Sequence, residues 1–174
     1  MGEIPKGEFM PNWVRNKVTI NGSKEDRKAI KELMKGEREF DFNKIIQMPL
    51  ELLEIHVGGC TIKGKSVTKW KVVDGENVAL SAKELNNLNS KYGTADWYDW
   101  ACKNWGTKWN TSIDGILVED RQRTLIYDFD TAWSSPTPIF IKLSELFPHV
   151  TIKVKVSGEI DYPYSSTFHN GEEE

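Results

Sequence analysis

A strand pattern, a helix pattern and a second strand pattern follow one another near each end of this chain. At the N-terminal end, Trp13–Ile20 alternates apolar and polar residues as a half-buried strand does. Ser23 and Asp26 then have capping-box spacing, which predicts the start of a helix. We predict that Phe40–Ile46 is the next strand, so that the chain begins β-α-β.

The same order returns in the last third of the chain. Thr124–Asp130 alternates as a strand, Pro136 precedes an apolar helical face that Pro148 closes, and Thr151–Ser157 alternates again. Two β-α-β units of this kind are typical of the split βαβ, or ferredoxin-like, arrangement. We therefore predict an α+β fold: an antiparallel sheet with two helices on one face.

The middle of the chain, about 50–108, is predicted to be a Trp-rich insertion of helices and hairpins. Asp74-Gly75 lies between two apolar runs and predicts a hairpin, and Asp114-Gly115 predicts a second hairpin, between Lys108–Ile113 and Ile116–Glu119. Between the two hairpins, Ser81 and Asp96 are predicted to cap successive helices. Gly58-Gly59 is predicted to be a loop that contains Cys60.

Length and composition favour one domain in the cytoplasm. The chain has 174 residues, a net charge of −3 and two well-separated cysteines, Cys60 and Cys102, which predicts two free thiols. The balance of charge disfavours a general nucleic-acid binder, and no apolar stretch is long enough for a membrane helix. We expect a flexible leader at 1–9, a single domain at 10–162 and a frayed acidic tail at 163–174.

Four strings in this order resemble one family. They are Met10-Pro11-Asn12-Trp13 with Asn16 and Gly22; Phe40-Asp41-Phe42-Asn43-Lys44-Ile45-Ile46 with Met48-Pro49; Asn104-Trp105-Gly106-Thr107-Lys108-Trp109-Asn110; and Thr131-Ala132-Trp133-Ser134-Ser135-Pro136. Together they resemble the YubB-type (Api-like) ferredoxin-like domain family of phage, prophage and plasmid accessory proteins. The resemblance implies a ferredoxin-like core and an origin in a mobile element, and it implies no reaction. With that origin, the cytoplasm expected from the free thiols is the host cell cytoplasm.

The residues themselves predict no catalytic site, no metal site and no cofactor. The three histidines are scattered, whereas a zinc site needs clustered ligands. Cys102 follows an alanine in a Trp-rich helix, where a cysteine is ordinarily a small apolar side chain. Asp128 and Asp130 share one face of a strand, and that pair could bind a divalent cation or act as acid and base; solvated acids on an open sheet face are the plainer interpretation.

The tryptophan-rich strings provide the other binding candidates. Trp105, Lys108 and Trp109 place a lysine between aromatic rings after Gly106, which is predicted to end a helix in the left-handed conformation. Such a group could stack a base and hold a phosphate, or it could pack the insertion onto the sheet. We expect Trp133 to pack against the Trp105 and Trp109 region.

Three functional hypotheses follow. The first is a non-enzymatic phage or mobile-element accessory protein that binds a host or defence protein, with Asp128, Asp130 and the acidic tail meeting a basic partner. The second is a binder of RNA or single-stranded DNA, although Tyr127 and Phe129 are expected to face the helices rather than stack bases. The third is a metal-dependent enzyme that uses Asp128 and Asp130.

Overall fold

The computed structural model describes residues 12–112, 116–158 and 163–174. The strands in these ranges are β1 (Trp13–Asn21), β2 (His56–Ile62), β3 (Lys65–Val73), β4 (Glu76–Ala79), β5 (Leu117–Arg121), β6 (Thr124–Ala132), β7 (Thr151–Gly158), β8 (Tyr164–His169) and β9 (Glu172–Glu173). The helices are α1 (Lys24–Met34), α2 (Leu50–Leu53), α3 (Ala82–Tyr92), α4 (Trp97–Asn104) and α5 (Thr137–Leu146). No helix of the described chain is long and apolar enough to cross a membrane.

The larger of two antiparallel sheets has the strand order β5-β6-β1-β7-β8-β9. Four neighbouring strands of this sheet, β5, β6, β1 and β7, form its core. Along the chain, these strands and the helices α1 and α5 come in the order β1-α1-β5-β6-α5-β7. This is the split βαβ arrangement, so the predicted ferredoxin-like fold is confirmed. Strands β8 and β9 extend the sheet beyond β7.

Both long helices of this core cover one face of the sheet. Ile30 of α1 and Phe140 of α5 are fully buried, and they belong to the same apolar cluster as Val18, Tyr127 and Val154 from the central strands. The alternate residues of those strands point to the opposite face, which no helix of the core covers. That open face carries the exposed side chains Arg15, Lys17, Lys153 and Lys155.

The C-terminal residues are ordered as part of the sheet, so the predicted frayed tail is wrong. Phe168 of β8 is fully buried against Phe140, with ring centroids 5.5 Å apart. The backbones of Thr167 and Glu174 exchange two hydrogen bonds of 3.1 and 2.8 Å. The acidic side chains at Glu172–Glu174 remain exposed, and it is the pairing of their backbone that holds this end of the chain.

The predicted strand at Phe40–Ile46 is also wrong, because this segment contains a 3-10 turn at Phe42–Lys44. Phe40 and Phe42 have the spacing of strand neighbours, yet both are fully buried in the core. Phe40 lies 4.9 Å from Tyr127 and 4.8 Å from Phe129 between ring centroids. The second strand of the split βαβ core is β5, which follows only after the whole insertion.

The insertion between α1 and β5 contains the small antiparallel sheet β2-β3-β4 and the helices α2, α3 and α4. Its hairpin at Asp74-Gly75 is confirmed, and both residues have positive φ. The loop predicted at Gly58-Gly59 lies inside β2, where the register shifts between Val57 and Cys60. Cys60 is therefore a strand residue, and both cysteines are free thiols.

The predicted second hairpin is displaced. Lys108–Ser112 is not a strand, and Asp114-Gly115 lies outside the described residues. The hairpin that enters the core instead joins β5 to β6 through Gln122 and Arg123.

The two ends of the insertion are joined by a hydrogen-bond clamp of Asp41, Asn110 and Thr111. The Asn110 Nδ2 group donates to Asp41 Oδ1 over 2.7 Å, and Asn110 Oδ1 accepts from the backbone N–H of Phe42 over 3.0 Å. The Thr111 hydroxyl donates to the carbonyl of Phe40 over 2.7 Å. Because Asp41 and Thr111 are buried, these bonds are shielded from competing water.

Both predicted capping boxes are present, at Ser23/Asp26 and at Ser81/Glu84. At the start of α3, Glu84 also accepts a 2.6 Å hydrogen bond from Lys71 of β3. The bonds from Lys71 and Ser81 lower the pKa of Glu84 to about 2. This carboxylate therefore ties the small sheet to α3.

We expect Glu84→Gln to remove a pH-dependent part of the stability. A carboxyl whose pKa falls on folding stabilises the protein above its unfolded pKa of 4.5, and it loses that contribution as the pH falls toward 2. The difference in free energy of unfolding between wild type and Glu84→Gln should have its largest value at pH 6 and decrease between pH 4.5 and 2. Urea unfolding at a series of pH values measures it. Glu32→Gln, at an exposed position of α1, is the matched control, and an equal effect there would contradict the assignment.

Candidate functional site

A sharp turn after α4 brings Lys108 and Trp109 to the end of the core sheet. Gly106 follows the helix with φ +78, as predicted for a left-handed residue. The hydroxyl of Thr107 then donates to the carbonyl of Ala132 over 2.7 Å, and the Ser134 hydroxyl donates to the carbonyl of Gly106. These two bonds join the end of α4 to the end of β6.

Trp133 comes directly after β6 in an unusual backbone conformation. Its φ is +70, in the left-handed region that non-glycine residues seldom occupy. The conformation is held because the N–H of Trp133 donates to the carbonyl of Asn12 over 2.9 Å. The indole itself is 44% exposed, so the core does not require a tryptophan here.

The side chains of Trp13, Tyr98, Lys108, Trp109 and Trp133 form one cluster, which we call the aromatic platform. The Lys108 ammonium lies 4.3 Å from the ring centroid of Trp109, 5.2 Å from that of Trp133 and 5.8 Å from that of Tyr98. The Tyr98 and Trp133 rings meet edge to face, and Trp13 lies 6.3 Å from Trp109. Each ring is within cation–π range of Lys108 or within packing range of a neighbouring ring.

Trp105 does not belong to this surface. It is only 4% exposed, its ring packs edge to face on Phe42 and Trp100, and its indole N–H donates to the carbonyl of Ile46 over 2.8 Å. The ring therefore packs the insertion onto the core. Trp133 and Trp109 both contact the Lys108 ammonium, so Trp133 lies beside the Trp109 region as expected. Trp105 is not part of this contact.

Asp128 is engaged within the protein. Its two carboxylate oxygens accept hydrogen bonds of 2.8 and 2.9 Å from the Arg15 guanidinium, in a bidentate ion pair across β1 and β6. The side chain of Asp128 is only 10% exposed, whereas that of Arg15 is 66% exposed. The acidic surface predicted at Asp128 and Asp130 is thus reduced to Asp130.

Asp130 lies directly opposite Arg15 in the strand register. Partial burial raises the pKa of the Asp130 carboxyl above its usual range, Arg15 opposes that rise, and the charge of Asp128 adds to it. Two neighbouring carboxylates of this kind are balanced by one guanidinium, which leaves them poorly suited to share a divalent cation.

The remaining titratable candidates are structural in character. Among the described residues, no three His, Cys, Asp or Glu side chains come together as a metal site would require. His56 stacks on Trp70, and His169 Nδ1 is 3.0 Å from the carbonyl of Val150. Burial raises the pKa of the Cys102 thiol, and the charge of Asp99 adds to this, so the thiol is protonated at neutral pH.

Sequence reasoning did not single out Trp13 or Tyr98 as parts of a surface. Trp13 reads as the first residue of a strand, and Tyr98 reads as one aromatic among several in a helix. The one available signal was alternation along β1, which places Trp13 on the same face as the charged residues Arg15 and Lys17.

We expect Gly106→Ala to destabilise the protein more than Gly75→Ala does. Both glycines have positive φ, but a Cβ at Gly106 would lie 2.8 Å from Pro138 Cδ, while nothing lies within 4 Å of one at Gly75. The left-handed conformation costs each variant about 1 kcal/mol, and the steric overlap adds about 1–3 kcal/mol at Gly106 alone. Urea unfolding followed by tryptophan fluorescence gives both values, and equal losses would contradict the close packing of this turn.

We expect no specific stabilisation by Mg²⁺ or Mn²⁺, because the Arg15 ion pair occupies both oxygens of Asp128. Thermal unfolding of wild type and of Asp128→Asn, with and without each ion, measures this. A saturable shift in wild type that Asp128→Asn abolishes would establish a cation site on this strand.

The comparisons with known proteins agree with this architecture. Residues 104–162, which cover the end of α4 through β7, match the family model described as the ferredoxin-like domain in Api92-like protein. The crystal structure of a protein api92 from Yersinia pseudotuberculosis superposes with a TM-score of 0.53, covering 93% of this chain and 95% of that chain at 12% identity. None of the curated proteins matches the chain. The chain has the ferredoxin-like fold, and its residues 104–162 match the ferredoxin-like domain of Api92-like proteins.

Proposed function

We propose that this chain is a non-enzymatic accessory protein of a phage or other mobile element, and that it binds a host or defence protein through the aromatic platform. The mobile-element setting rests on the family resemblance of the sequence. The binding mode rests on one observation: Trp133 is exposed although its backbone is held in a left-handed conformation.

The conformation of Trp133 supports a binding role because stability alone would favour another residue. A non-glycine residue with φ +70 costs about 1–2 kcal/mol relative to its usual conformations. Strained positions of this kind concentrate at functional sites, where the surrounding structure holds them. Glycine or asparagine would occupy the same backbone more readily.

The composition of the platform fits a protein partner. Tryptophan and tyrosine dominate the binding energy of many interfaces, because they bury large areas at little cost in conformational entropy. Lys108 lies among the rings, where the cation–π contacts orient its ammonium. A partner segment with apolar side chains and a carboxylate would match both features.

Single-stranded nucleic acid is the second candidate, and the position of Trp13 favours it. Trp13 shares the open face with Arg15 and Lys17, so a row of cations begins beside the platform. Aromatic stacking beside a basic groove is how single-strand binders hold their ligands. Tyr127 and Phe129 are buried under the helices, so these two rings are not available to stack bases as in an RRM.

We expect Trp133→Gly to fold and to lose the partner. Relief of the left-handed strain opposes the greater flexibility of glycine in the unfolded chain, so the free energy of unfolding should stay within about 1 kcal/mol of wild type. Tagged wild type, Trp133→Gly and Leu146→Ala serve as baits in a bacterial lysate, with and without nuclease. Leu146 is the matched control, since it is 47% exposed on the helix layer.

The proposal predicts a protein that wild type and Leu146→Ala retain after nuclease treatment and that Trp133→Gly does not. Purified, that protein should bind Trp133→Gly at least about tenfold more weakly than wild type. Retention by all three baits would contradict the platform as the binding surface. Loss of every partner on nuclease treatment would favour the nucleic-acid alternative.

A further inference from the structure

The open face of the sheet places two lysines directly against one another. Lys17 of β1 and Lys155 of β7 are partners in the antiparallel register, and both side chains are exposed. Like charges at directly opposed positions repel and destabilise a sheet. Thr19, the next open-face residue of β1, is opposed to Lys153 and avoids such a clash.

In the described part of the chain, neither lysine of this pair forms an ion pair. No carboxylate of that part lies within 4.0 Å of the ammonium group of Lys17 or Lys155. Asp128 of β6 is directly opposite Lys17 in the strand register, but both its oxygens are bonded to Arg15. Arg15, Lys17 and Lys155 therefore share this one carboxylate, and it forms its ion pair with Arg15.

The same residues line a concave cavity. It has a volume of about 520 Å³, and its walls include Arg15, Lys17, Asp128, Lys155 and Ser157, with Tyr164 of β8 also lining it. Among these groups three cations face one carboxylate. The volume is in the range of small-molecule sites and exceeds what a bare inorganic anion would fill.

We propose that this cavity binds a phosphate ester, with the phosphate between the ammonium groups of Lys17 and Lys155. A dianion there converts the repulsion between the lysines into two charge-assisted contacts. The Ser157 hydroxyl adds a donor at the wall, and the half-exposed ring of Tyr164 borders the space left for the organic part of the ligand. This site shares no residue with the aromatic platform and does not rest on the proposed partner.

Three probes identify the ligand chemistry: adenosine monophosphate, adenosine without phosphate, and a short single-stranded DNA. Calorimetric titration should show saturable binding of the monophosphate and none of adenosine. A DNA affinity at least about tenfold above that of the monophosphate, falling steeply with salt, would identify the phosphate source as a polynucleotide. Comparable affinities would identify it as a free phosphate ester. Failure of both phosphate-bearing probes to bind would overturn the proposal.

The lysines are tested by Lys17→Ala and Lys155→Ala, with Lys153→Ala as the matched control. Lys153 is exposed on the same face of β7 but does not line the cavity. Each of the first two variants should weaken monophosphate binding at least about tenfold, while Lys153→Ala should stay within about twofold of wild type. Equal weakening in all three would show a diffuse electrostatic attraction and would contradict a built site.

Stability separates a binding role from a structural one. If the opposed lysines serve a ligand, removing either charge relieves repulsion, and the unliganded variants should unfold at the same temperature as wild type or higher at low salt. A lower unfolding temperature for both Lys17→Ala and Lys155→Ala, together with unchanged monophosphate binding, would overturn the assignment. Because Trp133→Gly leaves this cavity intact, failure of the platform proposal and failure of this one are distinguishable.

Discussion

The buried hydrogen-bond clamp of Asp41, Asn110 and Thr111 is the constraint on which the rest of the structure depends. The insertion separates α1 from β5, the next strand of the core, and the two must still meet in one sheet. Closing a long loop has an entropic cost that local contacts must offset. Because Asp41 and Asn110 use their side chains to join the two ends, the insertion leaves the core and returns to it at a fixed place.

The clamp also sets the position of the aromatic platform. Asn110 follows Trp109 directly, and Phe40, whose carbonyl accepts from Thr111, is the aromatic residue at the centre of the core. The clamp thus holds Phe40 in the core and, at the same time, positions Trp109 in the aromatic platform. The turn at Gly106 completes the placement, because it directs the chain from α4 onto the end of β6.

The two faces of the sheet have different physical roles. The helix face is a mainly apolar core that also buries Asn16, and its residues stabilise the fold. The open face carries charges, and their arrangement is not the one that stability alone would select, since Lys17 opposes Lys155. Trp133 in its left-handed conformation is a second local exception. Residues whose local conformation or charge pairing lowers stability, with no compensating contact, are expected at functional sites.

What the sequence by itself determined was local. Ser23, Ser81 and Asp96 cap helices, and Asp74-Gly75 turns a hairpin, because each acts on backbone groups within a few residues. The alternation of β1, β6 and β7 fixed which side chains share a face. Together with the two helix patterns it led to the correct fold class, although the strand assigned to Phe40–Ile46 was wrong.

Only the tertiary structure decided the roles of residues whose contacts are distant in sequence. Phe40 and Phe42 alternate like strand residues, but Asp41 bonds to Asn110 and holds them in a turn that fills the core. Trp105 and Trp109 look equivalent in sequence, yet Trp105 is buried and Trp109 belongs to the aromatic platform. The pairing of Arg15 with Asp128 follows from strand order and register, which no local pattern specifies. Packing assigns these roles because it depends on which segments become neighbours in the fold.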